Sequence, residues 1–414
     1  MPSRRDFLKT TVGTAALFGA ELSLPRIAGA ADQNGQVFGP SILPAGTLDT
    51  ASLETLPGKR PLIKRAYRPP NFETPITYFQ QAFTPNDVFF VRYHLSNIPE
   101  VNAQAWRLRI GGDSVQRPFE LTFDALRTEF EAVQLNAVCM CSGNRRGLFV
   151  PHVTGVEWGY GAMGHAAWRG ARLKDVLARA GLRADALEVV LNGSDSGVID
   201  KTPDFVKSLP IWKALDENTI VAYEMNGQAL PHWNGFPVRL VVPGWTATYW
   251  VKHLTSIDIA NKPFDGFWMK SAYRIPLGKF PVVDRFTSQE TAMNTPITEM
   301  VVNSLIVSPA DGAKVPYKRT VTIRGVAWDG GYGIRRVEVS SDGGETWRPT
   351  ALGNDYGRFG WRQWTYDFQA TKRGNYTLQA KATNTIGQTQ TFELIQNPAG
   401  YHHNLVSRIN VTVA

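Results

Sequence analysis

Cys141-Ser142-Gly143-Asn144-Arg145-Arg146 places a thiol, a glycine turn and two guanidiniums within six consecutive residues. A cysteine sulfur is a soft metal ligand, and a guanidinium is a fixed positive charge with a planar fork of donors. A metal held by that sulfur would have anion-binding groups beside it, which suits chemistry on a small anion. The run leading into the motif alternates as a half-buried strand does, with Val133, Leu135, Ala137, Cys139 and Cys141 on one side and Gln134, Asn136 and Val138 on the other. Gly143 ends it, so Cys141 stands at the mouth of a strand, where its sulfur can enter a pocket. A buried cysteine can also be a small apolar residue. That is the reading for Cys139, whereas the flanking Gly-Asn-Arg-Arg favours a ligand role for Cys141.

Three further segments carry chemistry. Residues 88–95, Val-Phe-Phe-Val-Arg-Tyr-His-Leu, read as a strand with Phe90, Arg92 and His94 on one face. A charge on an otherwise apolar strand needs a partner, and either a structural salt bridge or an oxyanion pocket would supply it. Arg239 lies between apolar neighbours in Gly-Phe-Pro-Val-Arg-Leu-Val-Val-Pro-Gly, an unusual place for a solvated charge. Gly161, Gly164 and the alanines near them would let a ligand approach the backbone closely, although such a loop says little alone.

The motif resembles the molybdenum-binding loop of the sulfite oxidase family, marked by Cys-x-Gly-Asn-Arg-Arg. The segments 86–95 and 222–244 and the residues Lys270-Ser-Ala-Tyr273-Arg-Ile-Pro resemble further parts of that family, so the likeness covers nearly all of the chain beyond its first thirty residues. The resemblance implies that Cys141 is the protein ligand of molybdenum, completing a set with two dithiolene sulfurs of the pterin. It implies that Arg92, Arg146 and Tyr273 bind the substrate oxyanion and that His94 contacts the pterin phosphate or the active site. It also implies that Arg239 and Lys252 neutralise the pterin phosphate, since a dianion calls for more than one cation. Family members often carry a histidine just before Gly-Phe-Pro; here the residue is Asn234, and either its amide or His232 would have to replace that contact.

The elements that must position these residues can be read more coarsely. The 414 residues are too many for one ordinary core, so two domains are expected. Ser3-Arg4-Arg5-Asp6-Phe7-Leu8-Lys9, an apolar stretch to Ala20 and Ala28-Gly29-Ala30 read as a twin-arginine signal peptide over residues 1–30, which implies a periplasmic protein exported already folded around a cofactor. That apolar stretch is too short to span a bilayer, so no membrane span is expected. Residues 31–74, rich in proline and glycine, read as an extended arm. A mixed α+β catalytic domain is expected over 75–295, with its clearest helices at 123–130 and 173–180. Near Asn294-Thr295-Pro296 the texture changes. Short alternating segments at 301–307, 320–327, 335–340, 363–368 and 376–383, separated by Asp-Gly turns, predict an immunoglobulin-like β-sandwich over 296–414 with Trp328, Trp347, Trp361 and Trp364 mostly in its core. By resemblance this sandwich dimerises the catalytic domain.

Composition narrows the function. The net charge is +8, of which four basic and two acidic residues in the first thirty contribute +2. The remaining excess serves solubility or concentrates an anionic substrate. No basic run or basic helix suggests nucleic acid. Cys139 and Cys141 are the only cysteines, and two residues apart on one strand face they would close a strained disulfide. The expectation is a molybdenum-molybdopterin enzyme, one metal per chain, that oxidises sulfite to sulfate. No Cys-x-x-Cys-His haem site occurs, so no haem is expected in this chain and an external c-type cytochrome is expected as acceptor, the assembly being a homodimer or a heterodimer with a cytochrome subunit. The alternatives are a related enzyme acting on sulfoxides or on protein-bound sulfane sulfur, and a sandwich protein that binds ligands without catalysis.

Overall fold

A computed structural model describes residues 52–280 and 293–414. The signal-peptide reading and the first part of the expected arm lie outside the described residues.

The N-terminal part is mostly sheet with few and short helices, and three sheets frame it. The first has four strands in sequence order: Ser52–Glu54, Leu62–Ala66, Asn71–Glu73 and Val91–Arg92. The second orders Lys207–Pro210, Glu188–Gly193, Leu254–Ala260, Arg107–Gly111 and Phe119–Thr122, with one parallel pairing, Leu254–Ala260 beside Arg107–Gly111. The third is built on the long hairpin Ala132–Met140 and Met163–Arg172, extended by Ile220–Met225, which in turn pairs Arg239–Val241.

The helices Phe123–Thr128 and Leu173–Ala180 fall where apolar spacing predicted them. Thr122 caps the first by accepting from the Ala125 amide at 3.1 Å. The second buries Leu173, Val176, Leu177 and Ala180, the i, i+3, i+4, i+7 stripe of a helix with one face inward.

The hairpin strand Ala132–Met140 shows its alternation in what each face touches. Ala137, Cys139 and, just past the strand, Cys141 join the catalytic core, whereas Val138 and Met140 pack with Met163 against Leu305, Val326, Trp328 and Trp361 of the second domain. One strand therefore faces the site on one side and the other domain on the other.

The structure refines three expectations. Residues 88–95 do not form a full strand; only Val91–Arg92 pairs, with Asn71–Glu73, although the chain stays extended enough for Phe90, Arg92 and His94 to reach one cleft. From Ser52 onward the extended arm supplies three of the four strands of that sheet. The connector at Asn294–Pro296 is itself a strand, paired with Arg274–Pro276 just beyond Tyr273.

The C-terminal half is a β-sandwich. One sheet orders Asn303–Ser308, Thr320–Trp328, Arg362–Gln369 and Ala351–Leu352; the other orders Ala313–Val315, Ser407–Val413, Gly374–Asn384, Ile334–Ser340 and Arg348–Pro349. Ile323, Trp364 and Phe368 from the first meet Val337, Leu378 and Val411 from the second in the core. Trp328, Trp361 and Trp364 are buried, but Trp347 is only half-buried, its ring under Lys381. Among the described residues no helix is long and apolar enough to cross a membrane.

Candidate active site

The loop after Ala132–Met140 is held by its own polar groups. The Cys141 amide donates to Ala162 O at 2.9 Å, the Asn144 side-chain oxygen accepts from the Ala162 amide at 3.1 Å, and Ser142 donates to Thr246 at 3.0 Å. Gly164, across the hairpin from Cys139, leaves room for the Phe89 ring, since a Cβ there would lie 2.4 Å from it. These contacts set Cys141 at the edge of a cleft with about 610 Å3 of empty space, part of it open to solvent.

Cys141, Arg92, His94, Tyr273, Arg239 and Lys252 all line this one cleft, and Asn234 lines it too. The two cysteines are free and differ in setting. Burial pushes the Cys139 thiol up to about 11, although Arg239 lies 3.9 Å away, so it stays protonated. Cys141 shares the cleft with Arg92 and Tyr273.

Arg92 donates to Asn71 at 3.1 Å and reaches the Tyr273 hydroxyl at 3.5 Å, with its Nε buried and unmet. The His94 ring lies flat on Phe205 with centroids 3.7 Å apart and bonds Tyr273 OH through Nε2. Burial first, and then Arg92, Lys252, Lys207 and Arg146, hold its pKa well below the usual value, so His94 is neutral. Tyr273 has a positive φ of 60°, a conformation that non-glycine residues adopt rarely and that turns its ring into the cleft. Burial raises its pKa despite Arg92, so it is a hydroxyl donor.

In the same cleft Arg239 donates to the carbonyls of Asn234 and Trp250, both at 3.1 Å, between the rings of Trp168 and Trp250, and its Nε is unmet. Lys252 donates to Arg92 O at 2.6 Å with its ammonium 3.4 Å from the Tyr93 ring centroid. Burial lowers Lys252 to about 7. Among the described residues Asp195 is the only carboxylate lining the cleft, and burial raises its own pKa.

Arg146 is placed differently from the expectation. It does not line the cleft. Its Nε donates to Ala399 O at 2.9 Å and its Nη1 to Val156 O at 3.2 Å, and it packs so closely on Gly143 that a Cβ there would lie 2.6 Å from the guanidinium. It sits 5.2 Å from the Tyr401 ring, which stacks on Tyr273 with an interplanar angle of 8°. Arg146 therefore meets the cleft through the Tyr401 and Tyr273 rings, and its charge also acts on His94 and Tyr273. Its neighbour Arg145 turns the other way, with a positive φ of 70°, and donates to Asn303 and Ser304 of the sandwich at 2.7 and 3.0 Å.

The geometry also bears on Asn234. Its amide oxygen accepts from Lys59 at 2.7 Å and its amide nitrogen donates to Phe90 O at 3.1 Å, so both ends are occupied. His232 is not a lining residue. Lys59 and Tyr401 were missed by sequence reasoning, because each is far in sequence from the residue it serves and carries no motif of its own. A cation or ring in a proline-rich stretch was their only signal.

The donor set fits a molybdenum-pterin group. Among the described residues no cluster of three or more His, Cys, Asp or Glu could hold a metal. Cys141 alone cannot close a coordination sphere, so a metal there needs ligands from a bound organic group. Arg239 and Lys252 provide cations for a phosphate, and unmet donors on Arg92, Arg239 and Thr248 face the same cleft.

Comparisons with known proteins agree with this geometry. Residues 94–268 match the oxidoreductase molybdopterin binding domain and residues 294–414 the Mo-co oxidoreductase dimerisation domain. Mitochondrial sulfite oxidase of Drosophila melanogaster is 35% identical over 379 residues, covering 86% of this chain and 64% of that protein. The Macaca fascicularis enzyme is 35% identical over 374 residues, covering 86% and 67%. The chain thus spans about two thirds of the length of these relatives. Among solved structures, the sulfane dehydrogenase SoxCD from Paracoccus pantotrophus superposes with a TM-score of 0.71 over 99% of this chain and 98% of that one, at 23% identity, a likeness of fold.

Proposed function

The chain belongs to the sulfite oxidase family of molybdopterin oxidoreductases, and on that premise we propose that it oxidises sulfite to sulfate and passes the electrons to an external c-type cytochrome. The observation that carries the reading is the convergence of Cys141, Arg92, His94, Tyr273, Arg239 and Lys252 on one cleft. The overall change adds one oxygen atom from water to sulfite and releases two electrons and two protons.

Cys141 would hold the molybdenum, and Arg239 and Lys252 the pterin phosphate. The bound metal supplies two-electron oxygen-atom transfer. The protein supplies the rest. Arg92 offers a fork of donors to the oxyanion, and the Tyr273 hydroxyl donates beside it. Neutral His94 accepts from Tyr273 and fixes where that hydroxyl points. Preorganised donors aimed at developing negative charge are a large source of rate in water-poor sites. We further propose export to the periplasm by the twin-arginine route, from residues 1–30.

The test is sulfite-dependent reduction of ferricyanide and then of cytochrome c by purified protein, with molybdenum assayed in the same sample. Turnover with both acceptors supports a sulfite dehydrogenase. Molybdenum without sulfite turnover moves the assignment to sulfoxides or protein-bound sulfane sulfur.

A further inference from the structure

Lys207 opens the strand Lys207–Pro210, and none of it reaches solvent. Its Nζ donates to Trp268 O at 2.6 Å, and the ring centroids of Tyr249 and Tyr273 lie 4.8 and 5.1 Å from it. Among the described residues no carboxylate forms an ion pair with it. An amine this deep is costly to bury, and an apolar side chain of similar length would fill the space more cheaply. The contacts it makes are therefore the place to look for its use.

Those contacts tie together the ring wall around His94. Trp268 is fastened at both ends to the segment 203–207, since its indole Nε1 donates to Pro203 O at 3.3 Å and its own carbonyl accepts from Lys207. Phe205, two residues before Lys207, lies flat on His94, and the rings of Trp268 and Tyr273 stand 5.0 and 5.5 Å from that imidazole. Tyr273 is the member most in need of support. Its φ of 60° is rare for a residue with a bulky side chain, and such a conformation persists only where its surroundings hold it. Its hydroxyl has to stay within reach of both His94 Nε2 and Arg92. Tyr401 stacks on its ring, and Lys207 is a second hold from a different element.

We propose that Lys207 is a positioning residue: it fastens Trp268 and Tyr273 to the segment 203–207 and so fixes the Tyr273 hydroxyl between Arg92 and His94. Lys207 does not line the cleft, so it acts through the ring and not on the substrate. That the fixed hydroxyl serves an oxyanion rests on the sulfite reading; the clamp itself rests on the contacts of Lys207. Its charge has a second effect. With Arg92, Lys252 and Arg146 it disfavours a proton on His94, whose other titratable neighbour is Tyr273, and a neutral imidazole is what can accept from that hydroxyl.

Lys207→Met keeps the length of the stem and removes both donor and charge. Hydrogen exchange of the molybdenum-loaded protein tests the clamp without turnover, and a double-mutant cycle with Tyr273→Phe tests its role. Lys207→Met should speed exchange at 203–207 and 267–275 but not in the sandwich, and should lower kcat/KM for sulfite by roughly 10–100-fold, the scale of a misplaced catalytic group. In the Tyr273→Phe background the same change should cost less than about twofold, because the hydroxyl it positions is gone. The acid limb of the kcat/KM profile should move to higher pH, since His94 is easier to protonate with one cation fewer. If Lys207→Met does not accumulate, Lys207→Gln carries the same cycle. Losses that simply multiply in the double variant would overturn the proposal, since Lys207 would then act by general packing. Protein that turns over no sulfite yet loses protection at 267–275 when Lys207 is replaced keeps the clamp and refutes the sulfite reading. Sulfite oxidation by the wild type that Lys207→Met leaves unchanged does the reverse.

Discussion

In the sandwich, the buried Gln390 side chain accepts from Ser304 and the Ala382 amide and donates to Asn303 and Leu405 O. Asp329 nearby accepts from three backbone amides and from Asn384. In the catalytic cleft, among the described residues, Arg92, Arg239 and Lys252 face a single carboxylate, Asp195, and donors on Arg92 and Arg239 have no partner. The first network closes on itself and needs nothing further, so its role is architecture. The second is a buried excess of positive charge that the fold alone cannot offset. Such an excess is stable only when an anion shares it, and here a pterin phosphate and a sulfur oxyanion would do so.

The largest way to break this contrast is Cys141→Ser. Turnover should fall by at least about 10^3-fold, the scale of losing an essential catalytic group, and molybdenum content should drop while circular dichroism of the sheets is kept. Retained turnover with full molybdenum would reject Cys141 as the ligand. Next come the paired variants Arg92→Gln and Arg145→Gln. The first should raise the sulfite KM by roughly 10–100-fold with little change in melting temperature. The second, removing two bonds to the sandwich, should cost about 1–3 kcal/mol of stability with KM unmoved. If the two effects were exchanged, closed and open clusters would not differ as described.

The third sharpens the charge argument through pH. Burial lowers Lys252 and Lys59 to about 7 in the folded chain, against an ordinary value near 10.5. Between those values the unfolded chain holds protons that the cofactor-free folded chain has released. Stability of the cofactor-free protein should therefore rise with pH from about 7 to 10, by up to about 1.4 kcal/mol per pH unit for each group, and the penalty is complete below 7. A bound phosphate favours the charged form of Lys252, so the holoenzyme should show a flatter melting profile, with proton uptake on cofactor binding above pH 7. Identical slopes in the two forms would count against a phosphate beside Lys252. The smallest effect expected is from Tyr401→Leu. Removing the ring between Arg146 and Tyr273 should lower kcat/KM severalfold by freeing Tyr273, and Tyr401→Phe, which keeps the stack, should restore it.

Much of the site was legible because its signals are local. The Cys-x-Gly-Asn-Arg-Arg loop, the alternation that sends Cys139 and Cys141 to the core side, and the strands 320–327 and 376–383 of the sandwich all follow from spacing over a few residues. The segment 88–95 was legible in its side chains but not in its ladder. Its alternation places Arg92 and His94 together, whereas hydrogen-bond pairing at Val91–Arg92 depends on a neighbour, Asn71–Glu73, that no local pattern names. Arg145 and Arg146 were the hardest case. Adjacent and chemically alike, they part because Arg145 takes a positive φ, so one guanidinium enters the sandwich and the other the rear of the Tyr401 ring.

By itself the sequence determined which atoms could do chemistry and which strands and helices would carry them, because residue type and periodicity act within one element. Only the tertiary structure decided that Lys59 occupies the amide of Asn234, that Tyr401 of the second domain lies on Tyr273, and that Lys207 meets the carbonyl of Trp268 beside Tyr273. Those contacts join residues far apart along the chain. They exist because packed sheets bring them into reach, and burial then sets which charges are answered and which await a ligand.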